Sequence, residues 1–247
     1  CDYLCDGTND QVEINNAIQA LPDEGGEIII LDGTYKITAS INVSKDNVSI
    51  RGNGNATILK RMWDSSSAEG VITLNSVEGC RVENLQIDGN KAIYSANNNL
   101  GIRLNSSNNN TITGNTCNNN YHGIILSSST NNMVTGNTCN NNNDRGIHLY
   151  SSSNNNVITD NTCNNNNYGI RLDLSGNNTV TGNTCNNNNR SIYLVSSNNN
   201  MVTGNICNNN INGIFLHSSS NNTITGNTFN NNDNSGIHLY SISNNNV

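Results

Sequence analysis

Apolar residues are sparse in this chain, but from residue 101 onward they return in a fixed rhythm. Gly101-Ile102-Arg103-Leu104 recurs as Gly123-Ile124-Ile125-Leu126, Gly146-Ile147-His148-Leu149 and Gly169-Ile170-Arg171-Leu172. It continues as Ser191-Ile192-Tyr193-Leu194, Gly213-Ile214-Phe215-Leu216 and Gly236-Ile237-His238-Leu239. A second phrase, typified by Thr111-Ile112-Thr113-Gly114-Asn115-Thr116-Cys117, follows in each repeat. Its last residue steps through Cys117, Cys139, Cys163, Cys185, Cys207 and Phe229, at intervals of 22, 24, 22, 22 and 22. Runs such as Ile-x-Leu and Asn-x-Cys alternate with period two, as strands with one inward face do. Gly and Asn clusters between them supply turns, because both tolerate positive φ. The pattern predicts an all-β fold: a single-stranded parallel β-helix, a three-sheet solenoid with about 22 residues per coil and strands about 4.8 Å apart.

Stacked in register, identical residues form columns. Ile and Leu make the inner aliphatic ones. Asn115, Asn137, Asn161, Asn183, Asn205 and Asn227 make an amide ladder, each side chain able to donate to the next. The cysteine column ends in Phe229, which reads as an apolar inward position holding free thiols, since free Cys is among the most buried residue types. In-register Cβ atoms also sit slightly beyond good disulfide geometry.

The first hundred residues differ. Ile14, Ala17, Ile18 and Leu21 mark one helical face, Asp10 and Glu13 have capping-box spacing, and Pro22 stops the run. A helix over about 9–21 would cover the open core of the first rung, as a terminal unit must. The expected organisation is one domain over 1–247. Residues 1–26 form the cap, 27–100 the irregular first coils with two enlarged turns, and 101–247 the regular coils. The last of these stops mid-coil at Ser243-Asn244-Asn245-Asn246-Val247. That ending predicts further coils after Val247, or axial self-association between the Asn9–Leu21 region and the last rung.

Here a family likeness becomes specific. Cys5-Asp6-Gly7-Thr8-Asn9-Asp10, Ile14 to Ile18, Gly25-Gly26-Glu27-Ile28 and Gly33-Thr34-Tyr35-Lys36-Ile37 resemble the opening of pectate-lyase-like β-helix proteins. The coils resemble the Asn-rich β-helix repeats of bacterial and archaeal surface proteins in that superfamily. The resemblance implies a right-handed three-sheet β-helix. It implies an activity only weakly, because the fold hosts lyases, hydrolases, epimerases and non-enzymes.

Composition narrows the partners. The formal net charge is −7 with 11 Lys plus Arg, so no basic footprint for nucleic acid exists. No run of about 18 apolar residues is present, so no transmembrane helix is predicted. The eight cysteines include no CxxC pair. Sequons such as Asn42-Val43-Ser44 and the amino-terminal Cys1, a conceivable lipid-bearing anchor, fit an extracellular or cell-surface protein.

Two regions could carry chemistry. In Gly-Ile-x-Leu-y the positions x and y point outward, and they vary most. Arg171 and Asp173 share one strand, with His148 and Tyr150 below and Tyr193 above, a set suited to sugar rings with an apolar face and a polar rim. The second region is two lengthened turns on one edge. One carries Arg61, Trp63, Asp64 and Glu69, the other Asp88, Lys91 and Tyr94, and they could wall a groove over Arg103. Substrate contacts are assigned there to Trp63, Arg61 and Tyr94. Catalysis, if present, falls to Asp64 and Asp88, with Lys91 and Arg103 as base or charge stabiliser. No metal ligands are assigned and no cofactor is firmly implied, although a lyase would call for Ca²⁺ held by clustered carboxylates.

Glycosidase chemistry needs two carboxylates facing across the bond, and the Gly-His-Gly and Asp-Asp strings of pectin-degrading hydrolases are absent. Two function classes therefore stand. One is a β-helix that binds, and could cleave as a lyase or glycosidase, an acidic or neutral polysaccharide or cell-surface glycan. The other is a structural repeat protein: a surface spacer, adhesin shaft or filament subunit.

Overall fold

The computed structural model describes residues 2–247, so Cys1 and the anchor reading lie outside it. From Gly26 onward the chain winds as a parallel β-solenoid. One face is a nine-stranded sheet whose strands follow in chain order: Ile41–Val43, Glu69–Asn75, Asn99–Asn105, His122–Ser127, Arg145–Tyr150, Tyr168–Asp173, Arg190–Val195, Asn212–His217 and Ser235–Tyr240. Pairing is in register, Ile102 beside Ile124 beside Ile147 and Leu104 beside Leu126 beside Leu149. These Ile and Leu side chains are buried in one continuous core. Each regular coil needs only four apolar residues there, as with Ile147, Leu149, Ile158 and Cys163, because its neighbours complete the burial.

An eleven-stranded sheet forms a second face, running through Arg81–Asp88, Thr111–Thr113, Met133–Thr135, Val157–Thr159, Thr179–Thr181, Met201–Thr203 and Thr223–Thr225. The third face expected from the Asn-x-Cys run narrows in the regular coils to single parallel bridges, Thr138–Thr162–Thr184–Ile206–Thr228. The cause is local. Gly114, at φ 64, and Asn119, at φ 59, turn the chain on either side of Asn115-Thr116-Cys117, leaving room for one bridge per rung. In the earlier coils Val48–Arg61 and Arg81–Asp88 bend through that corner as single long strands, which joins the two faces into one sheet.

Asparagine does two jobs. At the corners it takes the left-handed conformation, as at Asn141, Asn165, Asn187 and Asn209, which costs it less than most side chains. Inside, three columns of buried amides follow the axis. Asn137 Nδ2 donates to Asn161 Oδ1 at 3.0 Å, and Asn161 Nδ2 to Asn183 Oδ1 at 3.0 Å. The same Oδ1 atoms accept the backbone N–H of the rung before, as from Asn137 to Asn161 at 2.9 Å. The Asn132–Asn156–Asn178 column repeats both contacts; the Asn120–Asn142–Asn166 column repeats the backbone one. A fourth column uses serine, with Ser129 N donating to Ser153 Oγ at 3.1 Å. Buried backbone donors at the corners, which no sheet partner reaches, are satisfied in this way.

The helix spans Gln11–Ala20 and buries Ile14, Ala17 and Ile18 against the first rungs. The capping-box expectation is corrected. Asp10 makes no side-chain cap; its carboxylate accepts Gly7 N at 2.8 Å and Lys36 N at 2.6 Å. It pins the helix entrance to the strand Gly33–Ile37 instead.

Cys117, Cys139, Cys163, Cys185 and Cys207 are free, fully buried and stacked. Burial pushes the Cys117, Cys163 and Cys207 thiols well up from their ordinary value. All five should resist a thiol reagent in the native protein and react on unfolding in denaturant. Rapid labelling of the folded chain would contradict this packing.

Candidate functional site

The outward face of the nine-stranded sheet concentrates the chemistry of the regular coils. Every Arg after residue 100 (Arg103, Arg145, Arg171, Arg190) and all four His of the chain lie on its strands. Three positions per strand line this face, not two. The glycine of each phrase adds a step, so Arg145 pairs with His122 and Tyr168, and Ile147 resumes the inward alternation. The column before the glycine, His122–Arg145–Tyr168–Arg190, was not anticipated from the x and y positions. Its signal in the sequence is the same 22–23-residue spacing.

Two clusters result. In the first, Asp173 accepts Arg171 Nε at 2.9 Å and His148 Nε2 at 2.8 Å, while His148 stacks on Tyr150 with ring centroids 5.0 Å apart. Beside it, Arg145 Nη1 donates to His122 Nε2 at 3.1 Å and Nη2 lies 3.4 Å from Asp144. A guanidinium has no acceptor, so His122 is neutral with its proton on Nδ1. Burial holds the His148 imidazole down at about 4, against the pull of Asp173. Burial, then Arg145, pushes His122 lower still. Burial alone would raise the Asp173 carboxyl, but the hydrogen bond from His148 and the charge of Arg171 outweigh it and keep it below its ordinary range.

The second cluster is aromatic. Tyr168 and Tyr193 stack at 5.5 Å, and Phe215 meets Tyr193 edge-on at 5.2 Å. Arg171 lies 5.1 and 5.2 Å from the Tyr168 and Tyr193 ring centres; Arg190 lies 5.7, 4.9 and 4.6 Å from Tyr168, Tyr193 and Phe215. Phe215 stacks on His238 at 4.5 Å, extending the apolar strip one coil further.

The lengthened turns are built differently from the groove expected of them. Arg61, assigned to substrate, is corrected: it is 0% exposed, with Nη2 donating to Leu100 O at 2.7 Å and Glu69 O at 3.1 Å. It ends the inward alternation Thr57, Leu59, Arg61, and its guanidinium covers Trp63 at 3.7 Å. Asp64 accepts Ala96 N at 3.0 Å and Asn99 Nδ2 at 2.8 Å. Asp88 accepts Asn90 N at 3.1 Å and Asn119 Nδ2 at 3.2 Å. Lys91 Nζ donates to Asn141 O, and Arg103 donates to Ala68 O at 2.6 Å and Asn105 Oδ1 at 3.0 Å. Tyr94 is half-buried on a turn closed by its N–H to Asn90 O. The two turns are stitched to each other, and no hydrogen bond or ion pair among the described residues joins Asp64 to Asp88.

Comparisons place this architecture. The chain is similar in structure to ORF18 of Geobacillus virus E2 (TM-score 0.74, 20% identity), covering 99% of this chain and 59% of that one. It is similar to the A-module of Azotobacter vinelandii mannuronan C-5 epimerase AlgE4 (0.55, 16%), covering 99% and 97%. It is also similar to the catalytic domain of a GH87 α-1,3-glucanase in complex with nigerose (0.68, 14%), covering 95% and 55%. At such identities the likeness shows the fold alone. No curated protein sequence matches significantly. Residues 149–247 match a family described as periplasmic copper-binding protein (NosD). In that span the cysteines are in the core column, and His217 and His238 join no cluster of three possible ligands among the described residues. Among the described residues the only three-ligand cluster is Cys5, Asp10 and Glu13, outside it. Residues 27–188, more than half of the chain, match the model described as right handed beta helix region, and the chain belongs to that family of right-handed β-helix proteins.

Proposed function

We propose that this chain is an extracellular or cell-surface protein that binds a polysaccharide along the outward face of its nine-stranded sheet. The observation that carries the reading is the segregation of chemistry. Every Arg and His of the regular coils lies on that face, with Tyr150, Tyr168, Tyr193, Phe215 and Tyr240, while the opposite sheet repeats Thr, Val and Met. Ring faces beside hydrogen-bonding groups match a sugar, whose C–H face stacks and whose hydroxyl rim bonds. The rungs lie at strand spacing, so an extended polymer running along the axis meets equivalent positions repeatedly. Two structural neighbours carry names from the same chemistry, a mannuronan epimerase and a glucanase holding nigerose.

Recognition suits the face better than cleavage. Hydrolysis calls for one carboxyl group that keeps its proton and a second that faces it. Asp173 is held ionised by His148 and Arg171, and Asp144 is paired with Arg145. No third carboxylate joins them to cradle Ca²⁺ among the described residues. Tyr168→Ala and Tyr193→Ala should each weaken binding to a glycan array hit by about 1–3 kcal/mol. Met133→Ala and Thr203→Ala, on the other sheet, should leave it unchanged. Binding that is indifferent to both tyrosines would sink the proposal.

A further inference from the structure

Four guanidiniums line this face, and their partners are unequal. Arg171 is held by Asp173, and Arg145 faces Asp144. Arg103 is held by the Ala68 carbonyl and the Asn105 amide. Among the described residues Arg190 is paired with no carboxylate. Its one side-chain hydrogen bond among them is a long 3.4 Å contact from Nη1 to the Tyr168 hydroxyl, and its Nε, like those of Arg103 and Arg145, is buried without a partner. It is nevertheless held in place, between the Tyr168, Tyr193 and Phe215 rings.

Arg171 shares two of those rings, so two cations flank one stacked tyrosine pair and a single carboxylate, Asp173, offsets them. The neighbouring histidines add no charge at neutral pH, since burial keeps His148 and His122 unprotonated. The centre of the face therefore carries excess positive charge on a chain whose net charge is −7. An ordered, partly desolvated guanidinium with free donors is a fork for a planar or tetrahedral oxyanion. Its aromatic walls would stack the ring bearing that group.

Resting on the polysaccharide reading above, we propose that Arg190 is an anion-recognition position and that the bound glycan is acidic, its carboxylate or sulfate group paired with Arg190 between Tyr168 and Tyr193. Uncharged polymers leave the guanidinium unpaired and bind more weakly.

The test uses the full chain and two matched pairs of probes: polygalacturonate with its carboxyl-reduced form, and dextran sulfate with dextran. Wild type should prefer one charged member by roughly 10- to 100-fold, the worth of a hydrogen bond to a charged group, and which pair shows it separates carboxylate from sulfate. Arg190→Gln should abolish that preference, bringing its affinity for the charged member down to its affinity for the uncharged one. Arg81→Gln, on the opposite sheet and paired there with Glu83, should retain it. Equal binding of charged and uncharged forms by wild type, or a preference that survives in Arg190→Gln, overturns the assignment and leaves polysaccharide binding standing. Failure of wild type to bind any glycan, charged or neutral, overturns both. Circular dichroism and an unchanged melting temperature confirm that Arg190→Gln is folded.

Discussion

Replacing Asn161 with Ala should destabilise the protein by about 2–5 kcal/mol, a large effect for one polar side chain. Asn161 Oδ1 accepts both the backbone N–H and the amide of Asn137, and its Nδ2 donates to Val134 O at 2.9 Å and to Asn183 Oδ1. Removal strands the buried Asn137 N–H and takes a donor from Val134 O, deep in the stack where water does not reach. Asn161→Asp is the sharper variant. An ionised carboxylate keeps the Asn137 bonds but turns a lone pair toward Asn183 Oδ1 and Val134 O. Its folded pKa should lie above its unfolded one, so the variant regains stability as pH falls and loses it as pH rises through the folded pKa. Urea unfolding of both variants, at pH 7 and pH 4.5, checks it. A loss below 1 kcal/mol would mean that the amide columns fill space without satisfying the corners.

Acidification should weaken the wild-type fold through the same face that carries the candidate site. His148 has a folded pKa of about 4, below its unfolded value near 6.5. The unfolded chain therefore binds a proton in that window that the folded chain does not. Stability is complete above pH 6.5 and falls as pH drops, by about 3 kcal/mol for His148 by pH 4. His122, pushed lower still, adds to the slope. Below that, protonation of Asp173, whose folded pKa is depressed, removes its bonds to Arg171 and His148. The expected result is a melting temperature that declines from pH 6.5 to 4, and a shallower decline in His122→Gln/His148→Gln. Parallel profiles for wild type and double variant would assign the acid sensitivity elsewhere.

The coil repeat was legible because one residue in two faces a shared core, so Gly-Ile-x-Leu and Asn-x-Cys mark strands wherever they recur. The cysteine column followed from the same argument, and the helix from the 3.6-residue spacing of Ile14, Ala17, Ile18 and Leu21. The Asn120 and Asn132 columns were hidden inside runs of asparagine, where neither composition nor alternation shows which amide faces in. Arg145 and Arg190 were missed because the glycine step shifts the outward count by one. Arg61 was read as a surface charge at a turn, although the alternation Thr57, Leu59, Arg61 already pointed it inward. The lengthened turns drew attention through length and charge. Their carboxylates are satisfied by backbone N–H and amide donors that no spacing in the chain reveals.

The most direct test of the central claim is hydroxyl-radical footprinting of the whole chain with and without a bound polysaccharide, read residue by residue by mass spectrometry. Tyr150, Tyr168, Tyr193 and Tyr240 on the nine-stranded sheet should become protected. Met133 and Met201, which are 45% and 48% exposed on the opposite sheet, should oxidise at the same rate in both states. Protection of the two methionines with the tyrosines unchanged would place the ligand on the wrong face and contradict the account.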